Sequence, residues 1–392
     1  MRYMKNSTPA DVRVYDHAAG YLQQFVKIEA HGPKCTASLL IALLFFAAAW
    51  RTSISDACQR LRRAPSDEAA RQALLATLPQ LRALEARFNR AFAAQAPKSL
   101  RKRARPLIVD LTETPYYGQP YRYPGELRPG KAKQGTSRFH TFATVYLLSH
   151  GQRFTLGVTY VLRDDSLSEV LTRLLDRVRE IGIRVRYLLL DRGFYNVDVI
   201  RYLKGAHCPF LMPVARRGRQ PPDPAQATSV RRFFAWKKSS WSTHVMNHRG
   251  RTAEVKICVA RDNLAGRWGR HGRRTLVFAF WGFQPTSPRW VRETYRKRFG
   301  IETSYRQMNQ ARARTSSRNP VLRLLYVGIA LLLRNAWVWF HCTYLADHFR
   351  GGDLWIHLEK LRFRTLLLHL LCYATSVAGP MDSTDLQLPL LE

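Results

Sequence analysis

Acid is what this chain has little of. Its 392 residues carry 28 Asp and Glu against 63 Lys and Arg, a formal net charge of +35. So large a cationic excess repels itself unless a polyanion is the working partner, which makes nucleic acid the leading partner class. Short ribosomal or histone-like proteins are as basic, but they lack a large apolar core, and here 46% of residues are hydrophobic and 11% aromatic. Paired cysteine is also missing. Cys35, Cys58, Cys208, Cys258, Cys342 and Cys372 are scattered with no C-x-x-C, so neither a zinc knuckle nor a disulfide framework is indicated, and a reducing cytoplasm fits. The twelve histidines show neither H-x3-H nor HExxH spacing, and no transition-metal site is read from them. The N-terminal MRYMKNSTPADVRVYD has no apolar segment of the kind a secretory signal needs. Ser38 to Trp50 is apolar but shorter than the roughly 20 residues that cross a bilayer, and reads as a buried helix. Val321 to His348 is longer, yet Arg334 and Asn335 inside it favour a helix packed against a sheet.

The few acids that are present fall at telling places. Leu107 to Thr112 (LIVDLT) and Tyr187 to Phe194 (YLLLDRGF) each read as a buried strand ending on one aspartate, Asp110 and Asp191. A lone Asp at a strand end is usually a turn former or a cap. Two of them, with Glu302 on a distant helix, are what a divalent-metal site requires, because clustered carboxylates repel unless a cation sits between them. Adjacent strands lie roughly 5 Å apart, so Asp110 and Asp191 share a Mg²⁺ if their strands are parallel neighbours. Glu302 sits in Tyr295 to Asn309 (YRKRFGIETSYRQMN), where Tyr295, Arg298, Glu302, Arg306 and Asn309 fall at steps of three and four on one helix face. Taken alone that run is an ordinary solvated helix with a Glu302–Arg306 pair.

The combination resembles the DDE transposases of bacterial insertion sequences, in the IS-four-like branch marked by a Tyr-x2-Arg-x3-Glu-x6-Lys signature. Tyr295, Arg298 and Glu302 match it in type and spacing, Asp191-Arg192-Gly193-Phe194 resembles the branch's second-aspartate motif, and Asn309 stands where the branch has Lys. The resemblance runs from about Leu107 to the apolar helix after Pro320. It implies an α/β fold: a ribonuclease H-like mixed-sheet core interrupted by a β-rich insertion, with an N-terminal helical domain and C-terminal helices. The expected boundaries are 1–100 (helical, DNA-end recognition), 101–214 (core, first part), 215–289 (basic insertion), 290–350 (core, second part) and 351–392 (helix and tail).

The order of patterns agrees with that. Pro97 to Pro106 is a basic linker; strands His140–Leu148 and Phe154–Leu162 and a helix Leu167–Ile181 lead to the Asp191 strand; a helix Asp198–Lys204 and a strand Pro209–Val214 follow. Glu113 to Lys133, with its tyrosines, reads as a loop. The interval from Arg192 to Gly300 holds 23 Lys and Arg against 5 Asp and Glu, with strand patterns at Arg251–Val259 and Thr275–Trp281. Its Trp236, Trp241, Trp268 and Trp281 suggest a cationic β-platform that tracks phosphates and stacks an extruded base, although at least two are expected only to pack the insert's core. Trp241, after Lys237 and Lys238, is the leading stacking residue, with Trp236 as the fallback. The helix carrying Glu302 is expected to end near Arg318–Pro320, and a last helix to run from Leu354 to about Ala374.

The function expected from the resemblance is cut-and-paste DNA transposition, with two Mg²⁺ ions (Mn²⁺ able to substitute) held by Asp110, Asp191 and Glu302. Tyr295, Arg298, Arg306 and Asn309, with Lys237, Lys238 and Trp241, are the expected DNA contacts, and Arg306 is expected to compensate for the uncharged Asn309. The expected partners are the element's terminal inverted repeats and target DNA, bound by a homodimer in the bacterial cytoplasm at the nucleoid, with no membrane. The rivals are a metal-dependent nuclease or resolvase on the same fold, and a domesticated DNA-binding protein without catalysis.

Overall fold

The structure, a computed structural model, describes residues 10–149, 152–217, 228–264, 272–349 and 354–380. The expected helical start is observed as α1 (Ala10–Tyr21), α2 (Ala37–Trp50), α3 (Ile54–Arg60), α4 (Asp67–Thr77) and α5 (Leu81–Gln95). Side-chain oxygens of Thr36, Ser53 and Ser66 accept from the third backbone N–H of α2, α3 and α4, which sets where each begins. Within α2, Leu40 to Ala48 are all buried.

The central sheet starts with β1 (Arg105–Pro115), β2 (Arg128–Lys133), β3 (Thr136–Ser149) and β4 (Gln152–Val161); α6 (Leu167–Ile181), β5 (Val185–Leu189), α7 (Val197–Gly205) and β6 (Phe210–Pro213) follow. β1 pairs antiparallel with β3, Asp110 opposite Thr144. It pairs parallel with β5, Leu107 beside Leu188 and Ile108 beside Leu189. The predicted return of the Asp191 strand to the side of the Asp110 strand is therefore observed, in an α/β mixed sheet with the ribonuclease H-like strand order. Helix α6 has the predicted bounds, held by a Ser166–Glu169 capping box and closed by Gly182 at φ 80°.

Some expectations are corrected. The stretch read as the loop Glu113–Lys133 instead lengthens β1 and ends as β2, whose tight connection to β3 places Gln134 and Gly135 at φ 51° and 82°. Such a two-residue turn matches the twist of a hairpin and pairs strands that have no apolar alternation to reveal them. The Asp191 strand stops at Leu189, and Asp191 itself opens a 3₁₀ turn at Arg192–Phe194.

After α8 (Arg232–Ala235), the basic interval forms β7 (Ser240–His248), β8 (Arg251–Leu264) and β9 (Gly272–Trp281). These have no sheet of their own: β9 pairs antiparallel with β6, Phe210 opposite Trp281, so the order across the sheet is β2-β3-β1-β5-β6-β9-β8-β7, with β4 also on β3. β6 is an apolar, buried strand, and its backbone needs a neighbour on each side.

The stretch read as one helix from Tyr295 to Asn309 is two, α9 (Pro288–Arg296) and α10 (Gly300–Gln310), joined by a 3₁₀ turn at Lys297–Phe299. α10 ends at Gln310, not near Arg318. α11 (Pro320–Phe340) continues as a π-helical turn to Leu345, and the last helix starts later than expected, as α12 (Phe363–Ala378), after the paired short strands β10 (Asp347–His348) and β11 (Leu354–Trp355).

Among the described residues the outer edge of β4 carries no further strand, and side chains take a strand's place. Asn89 of α5 donates to the Val158 carbonyl (3.0 Å) and accepts from its N–H (2.8 Å), and Glu85 accepts from the Tyr160 N–H (3.0 Å). Asn335 of α11 treats Thr155 in the same way, at 2.8 and 2.9 Å. One hydrophobic core runs from Val14 to Ala378, so the N-terminal helices and the sheet share it. α11 with its final turn is, among the described residues, the one helix long and apolar enough to span a bilayer, and 94% of its apolar window is buried in the fold.

Asn335→Leu, close in volume, would leave both backbone groups of Thr155 unpaired. It is expected to lower unfolding free energy by about 2–4 kcal/mol, measured by denaturant titration.

Candidate active site

The parallel register of β1 and β5 carries Asp110 and Asp191 to neighbouring positions at the centre of the sheet. Arg298 lies between them, its Nη2 donating to Asp110 Oδ1 at 2.9 Å and its Nη1 standing 3.6 Å from Asp191 Oδ1. The Asp110 side chain is 14% exposed, Arg298 9% and Asp191 50%, so the pair opens to solvent on the Asp191 side. The Leu111 N–H also donates to Asp110 Oδ1 (3.0 Å).

Tyr295 and Arg298, expected to contact DNA, point inward instead. The Tyr295 hydroxyl donates to the Leu190 carbonyl at 3.2 Å, and its ring lies 5.9 Å from the Arg298 guanidinium. The 3₁₀ turn between α9 and α10 directs Arg298 at the sheet, a rotation that residue spacing alone does not disclose. Beyond it, Tyr305 of α10 shares a 2.8 Å hydrogen bond with Thr144, the residue opposite Asp110. Glu302 falls on α10 between these two anchors, and its side chain lies outside the described residues.

Burial dominates the electrostatics. It pushes Asp110 up to about 6; Arg298 and the Leu111 N–H pull the other way and only partly offset it. Burial lowers Arg298, but Asp110, Tyr295 and Asp191 more than reverse that and leave it above its ordinary value. Two carboxylates held together by one cation form a hard-oxygen donor set of the kind that divalent ions occupy.

A cavity of about 660 Å³ opens beside Asp191 between β9 and α9. Arg192, Arg216, Arg292 and Arg296 line it together with Phe234 and Phe278. Sequence reasoning missed these cations, although Arg292 and Arg296 stand one helical turn apart, a signal that was available. The remaining expected contacts are dispersed. Lys237, Lys238 and Trp241 are exposed at the start of the edge strand β7, Trp241 at 43% with its ring edge-on to Phe280. Trp236 packs on Phe233, Trp281 lies against the core, and Trp268 lies outside the described residues. Arg306 is exposed on α10, whereas Asn309 lines a second cavity with Arg312.

Because the folded pKa of Asp110 exceeds the unfolded value of about 3.9, the folded state keeps a proton that the unfolded chain gives up. Its stabilising contribution is full below about pH 4 and is lost as pH rises through 6, worth about 3 kcal/mol. In chelator, the melting temperature of Asp110→Asn is expected to gain on wild type between pH 4 and 7, followed by calorimetry.

Residues 101–336 match the family described as "Transposase DDE domain". Among solved structures, the piggyBac transposase synaptic complex with hairpin DNA superimposes with a TM-score of 0.57 at 10% identity, over 100% of this chain and 84% of that one. No curated protein sequence matches. The matched segment contains both aspartates, Arg298 and Glu302, and covers more than half of the molecule: the chain belongs to the transposase DDE domain family.

Proposed function

We propose that this chain is a metal-dependent DNA transposase that cuts its element free at both ends and joins those ends to target DNA. The observation that carries this is the pair of Asp110 on β1 and Asp191 just past the end of its parallel neighbour β5, held side by side by a buried guanidinium. Carboxylates so placed serve to hold cations, and a purely DNA-binding protein has no use for buried acid facing a polyanion. Family membership supports the chemistry, and the synaptic DNA complex of the fold neighbour supports DNA as the partner.

Asp110 and Asp191 would hold Mg²⁺ (two ions, with Mn²⁺ able to substitute), and Glu302 would complete the set from α10. Bound ions supply Lewis acidity at the phosphodiester and lower the pKa of the attacking water or 3′-hydroxyl. Arg298 keeps the two carboxylates in register, a positioning role that its inward geometry favours over the expected backbone contact. Tyr295 fixes the turn that presents Asp191 by bonding Leu190. The arginines beside Asp191 give DNA phosphates a cationic wall with apolar rings between them. The Tyr-x2-Arg-x3-Glu branch, action on paired ends by a homodimer, and a place at the bacterial nucleoid complete the reading.

Asp191→Asn and Glu302→Gln are each expected to reduce cleavage of element-end DNA in Mg²⁺ by at least a hundredfold while end binding persists. A variant that cuts at the wild-type rate removes that residue from the site. Strand-transfer products in a target plasmid distinguish transposition from the nuclease reading, which yields cut ends alone.

Trp241 is the exposed aromatic beside two exposed lysines, and stacking on a base is worth about 1–3 kcal/mol. Trp241→Ala is expected to weaken end binding by about five- to 150-fold, and normal binding in a gel-shift titration assigns the ring to packing on Phe280.

A further inference from the structure

We infer that a second cavity, at the far end of β1, binds a phosphate group and that the DNA backbone supplies it. The inference rests on the transposase reading and adds a site to it. The cavity has a volume of about 380 Å³, and four guanidiniums, those of Arg51, Arg312, Arg314 and Arg323, line it with Thr114 and Asn309. Among the described residues no carboxylate forms a salt bridge with any of the four. Asp56, the acid nearest to Arg51 in sequence, is held by Arg60 at 2.9 Å.

Two of these cations, Arg312 and Arg323, are built in, while Arg51 and Arg314 are exposed at the rim. Arg312 Nη1 donates to Thr114 Oγ1 at 3.0 Å; Arg323 donates through Nε to the Ser317 carbonyl at 2.7 Å and lies over the Tyr116 ring at 4.7 Å. Burial is the main depressor of both Arg312 and Arg323, and neighbouring Arg323 and Arg51 depress Arg312 further. The helix ends give no relief. The C-terminus of α10 and the N-terminus of α11 both approach, with partial charges of about −0.5 and +0.5 that offset one another. Partly buried like charges without a counter-ion are costly to maintain, and an anion with several acceptor oxygens removes that cost.

Location selects the anion. Thr114 is four residues beyond Asp110 along β1, about 13 Å. Asn309 is seven residues beyond Glu302, about 10 Å along α10. DNA rises about 3.4 Å per nucleotide, so a strand with its scissile bond at Asp110 passes this cavity a few nucleotides away. Arg312 then supplies the charge that Asn309 lacks. Arg306, the residue expected from sequence to compensate, does not line the cavity.

The test uses the full chain in chelator. Arg312→Gln keeps a donor for Thr114 and removes the charge, Arg312→Lys restores charge, and Arg51→Gln is a second variant at an exposed position. Melting temperature is read in sodium phosphate and in sodium chloride at equal ionic strength, so that the general stabilisation by phosphate as a salt is common to all variants. Wild type is expected to gain an additional increment that Arg312→Gln and Arg51→Gln lose, that Arg312→Lys retains, and that saturating end DNA abolishes. In the second arm, end-DNA affinity is measured across salt, and Arg312→Gln is expected to reduce the slope of log K against log salt by about 1. An equal phosphate increment in wild type and both glutamine variants overturns the site. An increment lost with an unchanged DNA slope overturns DNA as its source and leaves a free-phosphate site. Neither arm depends on cleavage, so an Asp191→Asn protein that still cuts would refute the catalytic reading separately.

Discussion

The bare edge of β4 is the constraint on which the architecture depends. An unpaired strand edge inside a protein is not tolerated, and this one is answered by side chains from opposite ends of the sequence, Glu85 and Asn89 on α5 and Asn335 on α11. Three polar residues thereby weld the N-terminal helices and the long apolar helix to one side of the sheet. β3 is fixed between β4 and β1, and β1 carries Asp110. The position of the Asp110 carboxylate is thus inherited from hydrogen bonds made two strands away.

At the centre of the sheet the difficulty is charge. Two carboxylates are brought together where burial disfavours ionisation of one of them, and Arg298 is the cation that makes the arrangement tolerable. The cavity at the far end of β1 has the opposite imbalance, guanidiniums with no carboxylate among its described lining residues. The middle of β1 thus abuts a carboxylate pair and its far end a cluster of guanidiniums, and under the proposed function a nucleic acid with bound metal would complement both.

What the sequence disclosed follows from what is local. Buried strands and their terminal aspartates are written in runs such as LIVDLT, and α6 carries its own cap and stop. The parallel neighbourhood of Asp110 and Asp191 came from strand order and resemblance together. The long-range pairing of β9 with β6 left no mark, and the local hairpin closed by Lys133 and Thr136 was hidden because its strands lack apolar alternation. The helical spacing of Tyr295, Arg298 and Glu302 was legible, but a 3₁₀ turn rotated Arg298 from the solvent to the carboxylates. Asn335 stood out as a polar residue in an apolar helix, and only the β4 edge explains it.

The same welding has a consequence in time. Gln95 bonds the Leu332 carbonyl across 237 residues, and α2 packs on α12. At roughly 5–20 residues per second, a ribosome needs on the order of 10–50 s to deliver Leu332 after Gln95 has been made. During that interval the apolar face of α2 and the Thr155 end of the β4 edge wait for helices not yet synthesised. A premature stop before α11 would release a chain with the Thr155 end of that edge and the sheet face under α11 uncovered, a template for pairing between chains, so truncated products of this gene should aggregate rather than persist as competing DNA binders.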